Sequence, residues 1–139
     1  MSRAVICLHG GNRYAIPLSA VRRVTEVSFI SRVPRAPPAL LGIMSQQGRV
    51  ACLIDLGPLV GLKARPARPE GKVIMLQRQK GEVGLYVSEV AGIHDLPAEA
   101  RDLPEPFGAA TAQVDSAEGL VKLIDPELLQ RAIDNLVEA

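Results

Sequence analysis

Over the first two thirds of the chain, apolar and polar positions alternate in short runs, with Gly, Pro or polar turns between one run and the next. That rhythm predicts an all-β sandwich or barrel. The expected strands are Ala4–Leu8, Arg13–Pro17, Val21–Ser28, Arg49–Leu56, Lys72–Gln77, Glu82–Val87 and Glu89–Leu96, followed by the pair Ala112–Asp115 and Leu120–Ile124. Turns are expected at "HGGN", "SQQG", "QKGE" and "DSAEG". Within Arg49–Leu56, alternation sets Val50, Cys52, Ile54 and Leu56 on one face and Arg49, Ala51, Leu53 and Asp55 on the other. Both faces are partly apolar, so this strand either runs centrally between two layers or is half covered by a partner protein. "DLGPLVGL" can make only a short turn of helix, because Gly57, Pro58 and Gly61 punctuate it.

The period changes from two to helical at the C-terminus, in "DPELLQRAIDNLVEA". Asp125 suits the N-cap, Pro126 stands where its missing N–H costs nothing, and Glu127 meets the positive end of the helix dipole. Leu128, Leu129, Ala132, Ile133, Leu136 and Val137 form one apolar stripe, expected to lie on the β core. Between the β-rich stretches, "KARPARPEG" at 63–71 has two prolines and four charged side chains and nothing to bury. It reads as a flexible connector, or else as a basic contact arm. The stretches on either side of it are candidates for two similar small barrels.

The 139 residues suit one domain that buries roughly 70% of its unfolded surface. A hydrophobic share of 47% with two Tyr, two Phe and no Trp requires an aliphatic core. No apolar run reaches the roughly 20 residues of a membrane span, and "MSRAVICLHGG" lacks a signal-peptide core, so a cytoplasmic protein without direct membrane insertion is expected. Cys7 and Cys52 sit in "AVICL" and "VACLI", where reduced cysteine behaves as a small buried hydrophobe. Net charge is only +1, but residues 1–69 carry ten Lys/Arg against two acids (+8) and residues 70–139 six against thirteen (−7). Such asymmetry hints at an oriented partner or a head-to-tail contact, unless interleaved strands mix the charges in space.

The residues offer little for catalysis. A nucleophile needs a base and a group that orients the base, and only His9 and His94 are available. "LHGGN" resembles an oxyanion loop, yet no G-x-S-x-G elbow accompanies it, and a hairpin turn with Gly10 and Gly11 at positive φ accounts for it. Two lone Cys and two distant His make no zinc site, and neither a Walker A motif nor a strand-borne G-x-G-x-x-G is present, so no cofactor or metal is expected. Cys52 and Asp55, three apart on one strand, point to opposite faces. A small-barrel nucleic-acid binder is the alternative, but Tyr14, Phe29, Tyr86 and Phe107 are scattered rather than interleaved with Lys/Arg.

A protein-interaction module remains. "YAIPLSAVRRV", "VPRAPPALLGI", "QQGRVACLIDL", "GLYVSEVAGI" and "LVKLIDPELL" follow one another in the order and spacing of the CheW-like family, which the chain resembles over nearly its whole length. The resemblance implies a mainly β fold of two five-stranded SH3-like barrels around a shared aliphatic core, with a C-terminal helix. It also implies a non-catalytic adaptor that couples the cytoplasmic tip of a methyl-accepting chemoreceptor to a CheA-type histidine kinase, with no nucleic acid as partner. Against the family pattern, Gly42, Gly48, Asp55 and Leu56 are kept. Ser45, Gln46 and Gln47 replace Asn-Leu-Arg, Cys52 replaces a proline, Arg23 stands where glutamate is common, and Ser88 replaces an aspartate. The departures suit a divergent member, for instance of a Frz- or Pil-type chemosensory system. Val21, Arg23, Gln46, Gln47 and Arg49 are the expected partner contacts, while Gly42, Gly48, Asp55 and Asp125 are expected to serve the structure. Asp55 in particular is expected to fix the turn into "LGPLVG" through side-chain to backbone hydrogen bonds.

Overall fold

A computed structural model describes residues 2–46, 48–97, 99–117 and 119–137. The chain is mainly β, with two six-stranded sheets and a C-terminal helix. We number the strands β1 (Ser2–His9), β2 (Asn12–Pro17), β3 (Val21–Glu26), β4 (Ile30–Ser31), β5 (Leu40–Gln46), β6 (Arg49–Asp55), β7 (Lys72–Leu76), β8 (Val83–Val87), β9 (Glu89–Leu96), β10 (Arg101–Phe107), β11 (Ala110–Ser116) and β12 (Gly119–Ile124). The helices are α1 (Leu56–Leu59) and α2 (Pro126–Val137). One sheet has the order β10-β11-β12-β2-β1-β9 and the other β3-β7-β8-β6-β5-β4.

The second sheet is therefore built from one continuous stretch, residues 21–87, inserted between β2 and β9 of the first. This overturns the division at the proline-rich segment. Residues 63–71 run from α1 to β7 inside the second lobe, and two backbone groups moor them: Arg65 N–H donates to Asp55 Oδ2 at 2.8 Å and Arg68 N–H to the Tyr86 hydroxyl at 2.9 Å. Each lobe also has six strands where the resemblance implies five, since the short β4 and the proline-bearing β10 join as edge strands.

Period-two alternation divides the side chains among three apolar clusters. Val5, Cys7, Tyr14 and Ile16 of the first lobe meet Ile54, Leu56, Ile74, Leu76, Leu85 and Val87 of the second in one shared core, closed by Leu129 and Ile133 of α2. The opposite faces fill each lobe: Ala4, Ile6, Ala15, Val114 and Val121 in the first, Met44, Leu53, Val73 and Met75 in the second. Strand β6 is accordingly central, with Cys52 and Ile54 toward the shared core and Ala51 and Leu53 toward the second lobe's interior.

Helix α2 starts at Asp125, whose carboxylate accepts from the N–H groups of Glu127 (2.9 Å) and Leu128 (3.2 Å). The helix follows a first-lobe strand but is tied to the second lobe, where Arg78 donates to Gln130 and to Asp134 Oδ1 at 2.8 Å. Between the lobes, Ala109 N–H donates to the Leu59 carbonyl at 2.8 Å. That approach needs Gly108, at φ +57, because a Cβ there would stand 2.2 Å from the same carbonyl oxygen.

Candidate functional site

The starts of β3, β6 and β8 lie at one end of the second sheet, because β8 runs parallel to β6 while β7 runs antiparallel to both β8 and β3. Glu82, just before β8, is held there by its carbonyl, which accepts from Cys52 N–H at 3.0 Å. Two guanidiniums converge on its carboxylate: Arg22 at 3.0 Å and Arg49 at 3.2 Å. The ion cluster thus joins β3 to β6 through Arg22, not through the neighbouring Arg23. Both arginines of "AVRRV" are exposed, and nothing local in the sequence distinguishes their roles.

Val21 is half-buried against the shared core, and the ladder to β7 shifts register between Val21 and Arg23. Gln46 and Arg49 form the closing pair of the β5–β6 hairpin, with Gly48 at φ +77 in its turn. Gln47 lies outside the described residues.

Beside this cluster runs an exposed row that sequence reasoning did not single out. Ser45 pairs with Val50 across β5–β6, and its N–H donates to the Phe29 carbonyl at 3.4 Å. Phe29 is 78% exposed and Val50 64%. Alternation alone places Val50 beside Cys52 and so toward the core, but the hairpin outruns the neighbouring strand at this end, since β8 begins to pair only at Cys52.

The second constellation joins the lobes. His9 is buried, and its Nε2 lies 2.6 Å from Asp55 Oδ1, which also accepts from Gly57 N–H at 3.2 Å, while Oδ2 takes Arg65 N–H. Burial pushes the Asp55 carboxyl upward, but the hydrogen bond from His9 and those from Arg65 and Gly57 outweigh it and hold the group below the usual carboxylate range. On the other side of the ring, His9 Nδ1 accepts from Ser88 N–H at 3.2 Å, with the Ser88 hydroxyl at 3.3 Å. A ring nitrogen that accepts a backbone N–H is unprotonated, so the proton sits on Nε2, facing Asp55. The order Ser88, His9, Asp55 is that of a nucleophile, a base and an orienting acid. Here the lone pair faces the backbone N–H of Ser88, which also donates to the Leu8 carbonyl at 3.1 Å, and the arrangement acts as a latch between β1 and β6. A signal for His9 existed: it follows Val5 and Cys7 at period two, on the face that builds the shared core. Burial also pushes the Cys7 thiol up to about 12, which removes it as a nucleophile. Among the described residues no group of three or more His, Cys, Asp or Glu is placed to hold a metal.

A family model described as a CheW-like domain matches residues 3–132. The chain belongs to the CheW-like family. Relatives of this CheW-like chain include the "Chemotaxis protein CheW" of Rhizobium meliloti, 27% identical over 82% of this chain and 73% of that protein. Its counterpart in Bacillus subtilis is 26% identical over 74% and 67%. "Protein PilI" of Pseudomonas aeruginosa is 24% identical over 65% of this chain and 51% of its own length. In fold, the chain is similar to the scaffolding protein TtCheW from Thermoanaerobacter tengcongensis, with a TM-score of 0.75 and 17% identity over 89% of this chain and 84% of that one. The CheW-like family supplies coupling and scaffolding adaptors in chemotaxis.

In this CheW-like chain the charge asymmetry follows the lobes. Residues 21–87 carry eleven Lys/Arg against four acids (+7), and the rest of the chain five against eleven (−6). The strands do not mix the charges in space, because the inserted stretch forms its own sheet. Among the described residues no helix is long and apolar enough to cross a membrane.

Proposed function

We propose that this chain is a non-catalytic, cytoplasmic adaptor of a chemosensory array, recruited to the signalling tip of a methyl-accepting chemoreceptor through the end of its second lobe. The observation that carries this reading is the exposed Phe29–Ser45–Val50 row flanked by the Arg22–Glu82–Arg49 cluster, in a chain of the CheW-like family. Aromatic and arginine anchors of this kind concentrate binding energy at protein interfaces. Val21, Arg23, Gln46 and Arg49 contribute to the same end, Gln47 is kept as a contact on its place in the sequence alone, and Arg23 decides between partners. Arginine where the family commonly has glutamate faces an unchanged kinase surface with the wrong sign, and like-charge contact costs several kcal/mol. The contact with a CheA-type kinase regulatory domain is therefore the weakened one.

The test is a paired calorimetric titration at moderate salt with the cytoplasmic segment of the cognate receptor and, separately, the regulatory domain of the cognate kinase. Receptor binding that Val50→Asp abolishes at unchanged melting temperature, with weak or no kinase binding, is the expected result. Tight binding to both partners refutes the loss of the kinase contact, and binding to neither refutes the adaptor reading.

A further inference from the structure

Toward the start of β5, roughly 15 Å along the strand from Ser45 of the docking row to Leu40 and Leu41, two proline-braced loops face each other. One is the β4–β5 connection, with Pro34, Pro37 and Pro38, and the other is the moored segment 63–71, with Pro66 and Pro69. Between them lies a cleft of about 480 Å³ with Arg32, Arg35 and Arg65 in its lining and no acidic residue. Its apolar wall is formed by Ile30, Val33 and Leu41. Over the ridge at Arg65 and Pro66 a second cleft adds Arg68 and one acid, Glu70.

The four arginines differ from others on this molecule. Arg3, Arg22, Arg49, Arg78 and Arg101 each have a carboxylate partner. The guanidiniums of Arg32, Arg35, Arg65 and Arg68 make no ion pair among the described residues, and all four residues are exposed. Their loops are nonetheless fixed, since the backbone N–H groups of Arg65 and Arg68 are spent on Asp55 and Tyr86. Arg35 is the one non-glycine residue at positive φ among the described residues, at +61°. It follows Pro34 in a turn closed by Ala36 N–H to the Val33 carbonyl at 3.3 Å, the place in a type II turn where glycine is the ordinary occupant. An arginine held there works against the backbone preference.

We infer that this groove is a second docking site, for an acidic segment of a partner protein that carries apolar side chains between its carboxylates. Charge complementarity selects the acid, and the Ile30, Val33 and Leu41 wall selects the apolar component. A single-stranded nucleic acid fits less well, because no aromatic side chain lines the first cleft and Tyr86, in the second, is buried with its hydroxyl accepting from Arg68 N–H, so neither offers an open stacking platform. The arginines stand clear of the receptor-docking row, although Ile30 of the apolar wall follows Phe29 of that row, so the adaptor would hold two partners side by side on one lobe.

The experiment uses the full chain and fluorescence anisotropy with a labelled peptide of alternating glutamate and leucine pairs. Its controls are a glutamine-for-glutamate peptide, a leucine-free glutamate peptide and an oligothymidylate of equal charge. The expected result is binding of the glutamate–leucine peptide that weakens with salt and falls at least about tenfold in the Arg32→Gln, Arg35→Gln, Arg65→Gln, Arg68→Gln variant. Arg3→Gln, in the first lobe, should leave it unchanged. Arg35→Gly separates binding from folding: it should raise the melting temperature by relieving the turn and still weaken the peptide. Unchanged affinity in the fourfold variant, equal binding of the glutamine or leucine-free peptide, or tighter binding of oligothymidylate would overturn the inference.

Discussion

Replacing Asp55 by Ala tests the latch between the lobes. The substitution removes one carboxylate and leaves three donors behind: His9 Nε2–H, Gly57 N–H and Arg65 N–H. Each buried donor left without an acceptor costs roughly 1–3 kcal/mol, toward the upper end where the acceptor removed was a carboxylate. Arg65 N–H is only part-buried and finds water, so the loss should fall near about 3–4 kcal/mol rather than at the upper sum. Urea unfolding reads this as a lower midpoint at unchanged slope. The sign with pH is fixed by linkage. The folded carboxyl titrates below its unfolded value of about 3.9, so in that window the unfolded chain binds more protons and stability rises with pH. The contribution is complete above the unfolded value and is lost as pH falls through the folded one. The gap between the parent protein and Asp55→Ala should therefore narrow on acidification below about pH 4. A loss under about 1 kcal/mol at neutral pH, or partner binding abolished at an unchanged melting temperature, would refute the assignment of Asp55 to the latch.

Gly42→Ala places a Cβ 2.4 Å from the Ser31 carbonyl oxygen at a φ of +147°, and should cost about 1–3 kcal/mol with loss of hydrogen-exchange protection in β4. Arg78→Ala frees Gln130 and Asp134 from the second lobe, and a cost of about 1–2 kcal/mol in thermal unfolding is expected, with early exchange of the α2 amides. Cys7, buried with its thiol pushed up to about 12, should resist maleimide in the folded protein at mildly alkaline pH and react at once in urea; prompt labelling without denaturant would contradict the burial.

Elements with a clean period were legible in the sequence. β1, β2, β6 and α2 each alternate or repeat over a full element, and their ends fall within a residue or two of the expected ones. β5 was hidden by Gly42 and by the polar Ser45 and Gln46 that end its apolar run, although all three belong to the strand. Two-residue β4 has no signal of its own, since it exists only as a partner for Ile43 and Met44. In β10, Pro104 and Pro106 argue against a strand, and the ladder is indeed interrupted between Asp102 and Phe107 at a sheet edge. The candidate site was legible in part. Arg49 and Val21 lie at the proposed docking end, but Glu82 and Arg22 enter it through a contact sixty residues apart in the chain. The bond from His9 to Asp55 likewise spans 46 positions, beyond any local pattern.

The insertion of residues 21–87 between β2 and β9 sets an order of assembly during synthesis. The β1–β2 hairpin leaves the ribosome first, yet its neighbours β9 and β12 come after the whole second lobe, so it must wait with its apolar faces bare. The inserted lobe has all its strand partners within itself and can form as soon as it has emerged. Once folded, it fixes Val21 in β3 and Val87 in β8, on either side of β7 in a single sheet, and the long gap in the first lobe shrinks to the span of that sheet. The nascent chain is thus most exposed to aggregation and proteolysis while β9–β12 are being made, and substitutions that slow the second lobe would lower the yield of the first.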